Sequence, residues 1–276
     1  MDKTKTGIIA FLIVEAIIVS VFSTLIILDG RGLSQNIPYT LVLMVSPALV
    51  GLGTSWFFNK TLNGFGWKLG KAKYLLISYL TPLIYILVPY GMALGLGLVL
   101  LDANAVAKLS LVEGLQFFLV NILILCILVL GEEIGWRGFL LPQLCKVTSF
   151  AKASTLVGVV WILVHFPIFI FADYNAGGAP LWLRLLCFTI LAFGVNTAIN
   201  WLRIKSGSLW TAVLLHATHN SFLQDISPLF VKTTNAEYLL SESGVALALA
   251  GIVVGTIFWL KRNQLNQPAR EVVGKL

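Results

Sequence analysis

Eight long apolar runs divide this chain, at about 7–28, 38–58, 74–98, 111–131, 153–172, 182–201, 207–224 and 243–260. Each is close to the ~20 residues that an α-helix needs to cross the hydrocarbon of a bilayer. The pattern predicts an all-α fold: a polytopic transmembrane helical bundle of about eight spans, forming a single integral membrane domain over 1–276. Pro47, Pro82 and Pro89 fall inside runs and are expected to kink their helices without ending them. The first run is too long for a signal-peptide core and no Ala-x-Ala site follows it, so it is read as a retained span. The seventh run is the least apolar.

Two shorter stretches do not fit the span pattern. Residues 135–147 are apolar but too short to cross. They read as the end of the fourth span near the inner surface, or as a short interfacial helix. Residues 61–73 set Phe65 and Trp67 among lysines, and read as amphipathic packing at the lipid surface.

Composition agrees with a membrane solvent. The chain is 58% hydrophobic and 11% charged, against about 25% charged in soluble domains. The formal charge of +7 does not point to nucleic acid, because Lys and Arg sit mainly between the runs. On one side of the predicted bundle lie Lys3, Lys5, Lys60, Lys68, Lys71, Lys73, Arg137, Lys146, Lys152, Arg203, Lys205, Lys261, Arg262, Arg270 and Lys275. On the other lie only Arg31, Lys108, Arg184 and Lys232. The positive-inside rule then places both termini in the cytoplasm. The expected location is the cell membrane, multi-pass, or the endoplasmic reticulum in a eukaryote. Cys126, Cys145 and Cys187 show no disulfide or metal spacing and read as free thiols in apolar surroundings.

The candidate chemistry lies in three of the runs. Glu132 and Glu133 interrupt the fourth, and acidic side chains at membrane depth are functional candidates by default. Glu133 and Arg137 are four apart and share a helix face, so they can form an ion pair that braces the helix. Glu132 points roughly 100° away and is freer to meet water, as a general base must be. The plain alternative is that both glutamates only tether the end of the span. His165 lies one turn after Trp161 and needs a polar partner. It is either a core histidine bonded to a carbonyl or a partner of Glu132 on one water. His216 and Asn220 share a face and can both donate to an oxyanion, or simply lock two helices together. His219 sits beside that face. The three histidines with a glutamate could also hold zinc, although His-Glu-x-x-His is absent. Glu15, inside the first span, has no assigned role.

Three motifs carry a family resemblance. They are Glu132-Glu133-Ile134-Gly135-Trp136-Arg137 as Glu-Glu-x-x-x-Arg, Trp161-Ile162-Leu163-Val164-His165 as Phe-x-x-x-His, and His216-Ala217-Thr218-His219-Asn220 as His-x-x-x-Asn. Together, over about 130–222 and within a core at about 111–224, they resemble the CPBP intramembrane proteases. These are also called the CAAX protease and bacteriocin-processing (Abi) family, and they include the type II CAAX prenyl endopeptidases.

The resemblance implies peptide-bond hydrolysis by water activated at Glu132 and His165. It implies an oxyanion site at His216 and Asn220, with Glu133, Arg137, Trp161 and His219 in support. It implies no cofactor, with zinc as the alternative, since the family was once described as metalloproteases. The implied partners are membrane lipid and a lipidated or membrane-embedded peptide or protein. Trp161 departs from the motif's phenylalanine, adding bulk and an N–H donor. The rival functions are a non-proteolytic immunity or scaffold protein and a proton-coupled transporter. The latter is disfavoured because no inverted repeat of broken helices is evident.

Overall fold

The computed structural model describes residues 2–108, 110–172, 179–231 and 233–265. Lys232, Arg270 and Lys275, counted above for charge asymmetry, lie outside them. The described residues form helices and connecting loops, with no β-sheet among them.

The helices are α1 Lys3–Asp29, α2 Ile37–Asn59, α3 Ala72–Gly95, α4 Ala103–Ala107, α5 Leu111–Glu133, α6 Leu141–Val147, α7 Phe150–Phe171, α8 Leu181–Ser206, α9 Leu209–Ile226, α10 Thr234–Leu240 and α11 Val245–Leu260. Seven helical stretches are long and apolar enough to cross a membrane: Lys3–Asp29, Ile37–Asn59, Ala72–Gly95, Leu119–Val147, Phe150–Phe171, Leu181–Ser206 and Ala236–Leu265. The remaining predicted span, the seventh, corresponds to α9. It lacks that hydropathy because His216, Thr218, His219, Asn220, Ser221, Gln224 and Asp225 all lie on it. It is packed among α3, α5 and α8, so the bundle rather than lipid covers it. Pro47, Pro82 and Pro89 lie inside helices as expected.

Two expectations are corrected. The fourth span does not end at 131. A π-helical segment, Ile134–Leu140, joins α5 to α6 without a break, and every residue in it is buried. Residues 135–147 are therefore the second half of a membrane span and not an interfacial helix. Arg137, placed with the basic loops from sequence, lies inside the bundle with no exposed surface. In the 61–73 segment Leu62, Trp67 and Leu69 are exposed. The segment is a loop whose Phe65 is buried against Gly138 and Phe139. Trp67 stacks on Phe65 from outside. Arg203 donates to the Gly64 carbonyl at 2.7 Å and thereby holds the loop over the end of the bundle. Apolar content made 135–147 look like a surface element, because periodicity cannot distinguish lipid from protein as the covering partner.

Gly131 and Gly135 set the close approach of this long span to α2. A methyl group on Gly131 would meet the Met44 carbonyl, and one on Gly135 would meet the backbone of Pro47. Both glycines flank Glu132 and Glu133, so the same contact positions the acidic pair. Gly135→Ala is expected to cost about 1–3 kcal/mol through overpacking. Thermal unfolding in detergent checks this, and an unchanged midpoint would contradict it.

Candidate active site

The continuous span puts Glu132 about 22 Å along the helix from Val147, at 1.5 Å per residue. Measured in the same way from Phe150, Leu209 and Lys3, His165 is at about 22 Å, Asn220 at about 16 Å and Glu15 at about 18 Å. Side chains from α1, α5, α7 and α9 therefore meet deep in the bundle.

They line one cavity of about 380 Å³ that includes Glu132, Trp161, His165, His216, His219 and Asn220. Its lining also includes Leu33, Thr40, Gln224 and Glu242. Those residues belong to the end of the bundle away from Lys3 and Lys261, where α1 leads into α2 and α9 into α10. The cavity thus extends toward the end with few basic residues.

Glu133 is the centre of a buried polar cluster. It has no exposed surface. Its Oε1 accepts from Arg137 Nη1 at 2.8 Å and from His216 Nδ1 at 2.8 Å. The guanidinium is held on its other edges by Asn200 Oδ1 through Nε, and by Asn196 Oδ1 through Nη2, both at 3.2 Å. The two asparagines are fixed in turn on α7. Asn196 Nδ2 donates to the Ser154 carbonyl, and Asn200 Nδ2 donates to Ser154 Oγ. The Arg137 guanidinium lies 4.6 Å from the Trp161 ring centroid, a favourable cation–π distance. Planarity and multiple donors suit arginine to this role, and lysine could not reproduce it.

Trp161 links this cluster to the cavity. Its Nε1 donates to Glu132 Oε2 at 3.2 Å. Its ring stands edge-on to both His165 and His216, with centroids at 5.8 and 5.4 Å. The donor that tryptophan adds over phenylalanine is used to hold the Glu132 carboxylate. His165 Nδ1 is 2.6 Å from the Trp161 carbonyl. A carbonyl can only accept, so Nδ1 carries a proton and donates it to Trp161. The expected bond to a carbonyl is present, and His165 also lines the cavity that Glu132 lines.

His219 lines the cavity too, but its Nδ1 is 2.7 Å from Tyr85 Oη and its Nε2 is 3.6 Å from Glu242 Oε1. It ties α9 to α3 and to the loop after α10. Among the described residues, no three His, Cys, Asp or Glu side chains converge closely enough to hold a metal ion. The Nδ1 atoms of the three histidines are directed to three different partners: the Trp161 carbonyl, Glu133 and Tyr85.

Sequence reasoning missed Asn196, Asn200 and Ser154, although an Asn-x-x-x-Asn pair inside an apolar run is the same kind of signal as His216 and Asn220. It also missed Glu242, which lies outside every predicted span.

The fold and the site define a multi-pass, all-helical membrane protein with a polar cavity built around a buried ionic cluster. A family model described as type II CAAX prenyl endopeptidase Rce1-like matches residues 114–222. A CAAX prenyl protease 2 of Methanococcus maripaludis is 28% identical over 182 residues, covering 63% of this chain and 64% of that protein. The matched stretch is therefore less than two-thirds of the relative's length. Both findings are similarities of the motif-bearing region to CAAX prenyl proteases, the group that the three motifs resemble.

Removing Arg137 would leave Glu133 buried with one fewer counter-charge. Arg137→Met is expected to cost about 3–5 kcal/mol. Arg137→Lys is expected to rescue only part of that loss, because it cannot reach both asparagines. Unfolding midpoints of the two variants in detergent check the order, and equal stability of Arg137→Lys and wild type would contradict it.

Proposed function

We propose that this protein is an intramembrane endopeptidase that hydrolyses a peptide bond of a membrane-associated protein or peptide, prenylated substrates included. The observation that carries the proposal is the meeting of Glu132, His165, His216 and Asn220, from three separate helices, on one cavity. The family match and the name of the relative agree with it.

In this reaction Glu132 is the general base. It takes a proton from a water molecule that His165 orients through Nε2. The water oxygen bonds to the scissile carbonyl carbon, and the carbonyl oxygen becomes an oxyanion. Asn220 donates to that oxyanion through its amide. His216 donates through Nε2, which requires the imidazolium form, since Nδ1 already donates to Glu133. With His216 charged, the two glutamates are matched by two cations, and the cluster is neutral within the low-dielectric interior. The carbon–nitrogen bond then breaks, and the proton held by Glu132 passes to the leaving amine. Fixed donors aimed at a developing charge are worth most where water is excluded. No metal takes part in this scheme.

A library of quenched, lipidated peptides presented to the purified protein in liposomes tests the proposal. Wild type is expected to cleave members of the library, with and without a strong chelator. Glu132→Gln is expected to lose at least about a hundredfold in rate, the scale of a general-base contribution. Retained cleavage by Glu132→Gln would remove the assigned base, and loss of wild-type cleavage in chelator would indicate a metalloprotease.

A further inference from the structure

Glu15 takes no part in the reaction above and belongs to none of the three motifs. It projects from the middle of α1, outside the region matched by the family model. Yet it lines the same cavity as Glu132, and its side chain is 1% exposed. Ser46 Oγ donates to its Oε1 at 2.6 Å, which ties it to α2. Its Oε2 is buried without a hydrogen-bond partner among the described residues. Trp136 lines the cavity as well, and its Nε1 is also buried without a partner. Phe11, four residues before Glu15 on α1, packs edge-on against the Trp136 ring, so the two side chains are held in one part of the molecule.

A buried polar atom without a partner is costly, and each one in a native fold calls for an explanation. Here two residues that line one cavity carry a buried acceptor and a buried donor, both unmatched. A peptide unit presents the complement, one N–H and one C=O. Glu132, His165, His216 and Asn220 account for the scissile bond itself. The backbone on either side of that bond must also exchange water for protein partners on entering the cavity. Sites that hydrogen-bond a substrate group reject analogues lacking that group, because their own buried atoms are then left unpaired.

Resting on the endopeptidase reading, we propose that Glu15 and Trp136 bind the substrate backbone beside the scissile bond. Glu15 Oε2 accepts from a peptide N–H, and Trp136 Nε1 donates to a peptide C=O. Both are substrate-binding residues that set the register of the chain against Glu132. They recognise backbone and not side chain, which suits an enzyme that accepts varied sequences.

The test uses a quenched, farnesylated peptide together with derivatives in which one backbone amide at a time, away from the cleaved bond, is replaced by an ester. The ester removes the N–H. Wild type is expected to lose about tenfold in kcat/KM at one ester position, the scale of one hydrogen bond. Glu15→Leu is expected to lose a similar factor with the parent peptide, mainly in KM, and to lose nothing further at that ester position. Trp136→Phe, which keeps the ring and removes the donor, is expected to raise KM several-fold. A merely structural role for Glu15 would not abolish the ester effect at one position. If Glu15→Leu does not fold, as judged by unfolding in detergent, Glu15→Gln is tested for the same coupling. Ester penalties that are the same in wild type and variant would overturn the proposal alone. A wild-type protein that cleaves none of the peptides, the parent included, would overturn the endopeptidase reading and this proposal with it.

Discussion

A carboxylate sealed from water must have its charge matched where it stands, and Glu133 meets that condition on a single oxygen. Arg137 and His216 both donate to Oε1. This arrangement constrains four helical elements together. Arg137 has to lie one turn further along the same span, so the span continues past its glutamates. His216 brings in α9. Asn196 and Asn200, which hold the rest of the guanidinium, bring in α8, and their bonds to Ser154 bring in α7. Breaking such a group is expensive because the remaining charge has no water to turn to. The active-site geometry follows from this frame. Trp161 packs on Arg137 and donates to Glu132, while its own carbonyl accepts from His165.

Much of the fold was legible in hydropathy, since crossing a bilayer imposes a length and a composition on every helix. The Glu133–Arg137 pair was legible from helix geometry, because residues four apart share a face even through the π-helical segment. The proposed division of labour between Glu132 and Glu133 rests on the same argument. What hydropathy could not show was where a span ends when its second half is buried in protein. Gly135, Trp136 and Arg137 looked like a helix terminus meeting a basic loop. In the structure they are interior, because α2 approaches closely over Gly131 and Gly135.

The partners of polar residues were the other hidden layer. No spacing rule joins Trp161 to Glu132, or Asn196 to Arg137, because those contacts depend on how separate helices are rotated against each other. His219 was placed beside the oxyanion face, and its contacts with Tyr85 and Glu242 become visible only when α3 and the loop after α10 are present. Glu15 could be seen as an anomaly in its apolar run, but its place on the cavity that Glu132 lines depends on how α1 packs. In each case the sequence marks a costly residue, and tertiary packing decides what repays the cost.

The central claim is that Glu133 holds the site together while Glu132 does the chemistry. Two isosteric variants separate these roles: Glu132→Gln and Glu133→Gln, each measured for thermal unfolding and for peptide cleavage. The account predicts that Glu132→Gln unfolds close to wild type and does not cleave, whereas Glu133→Gln unfolds at a clearly lower temperature, because Arg137 is left buried without its counter-charge. A Glu133→Gln protein as stable and as active as wild type would contradict it.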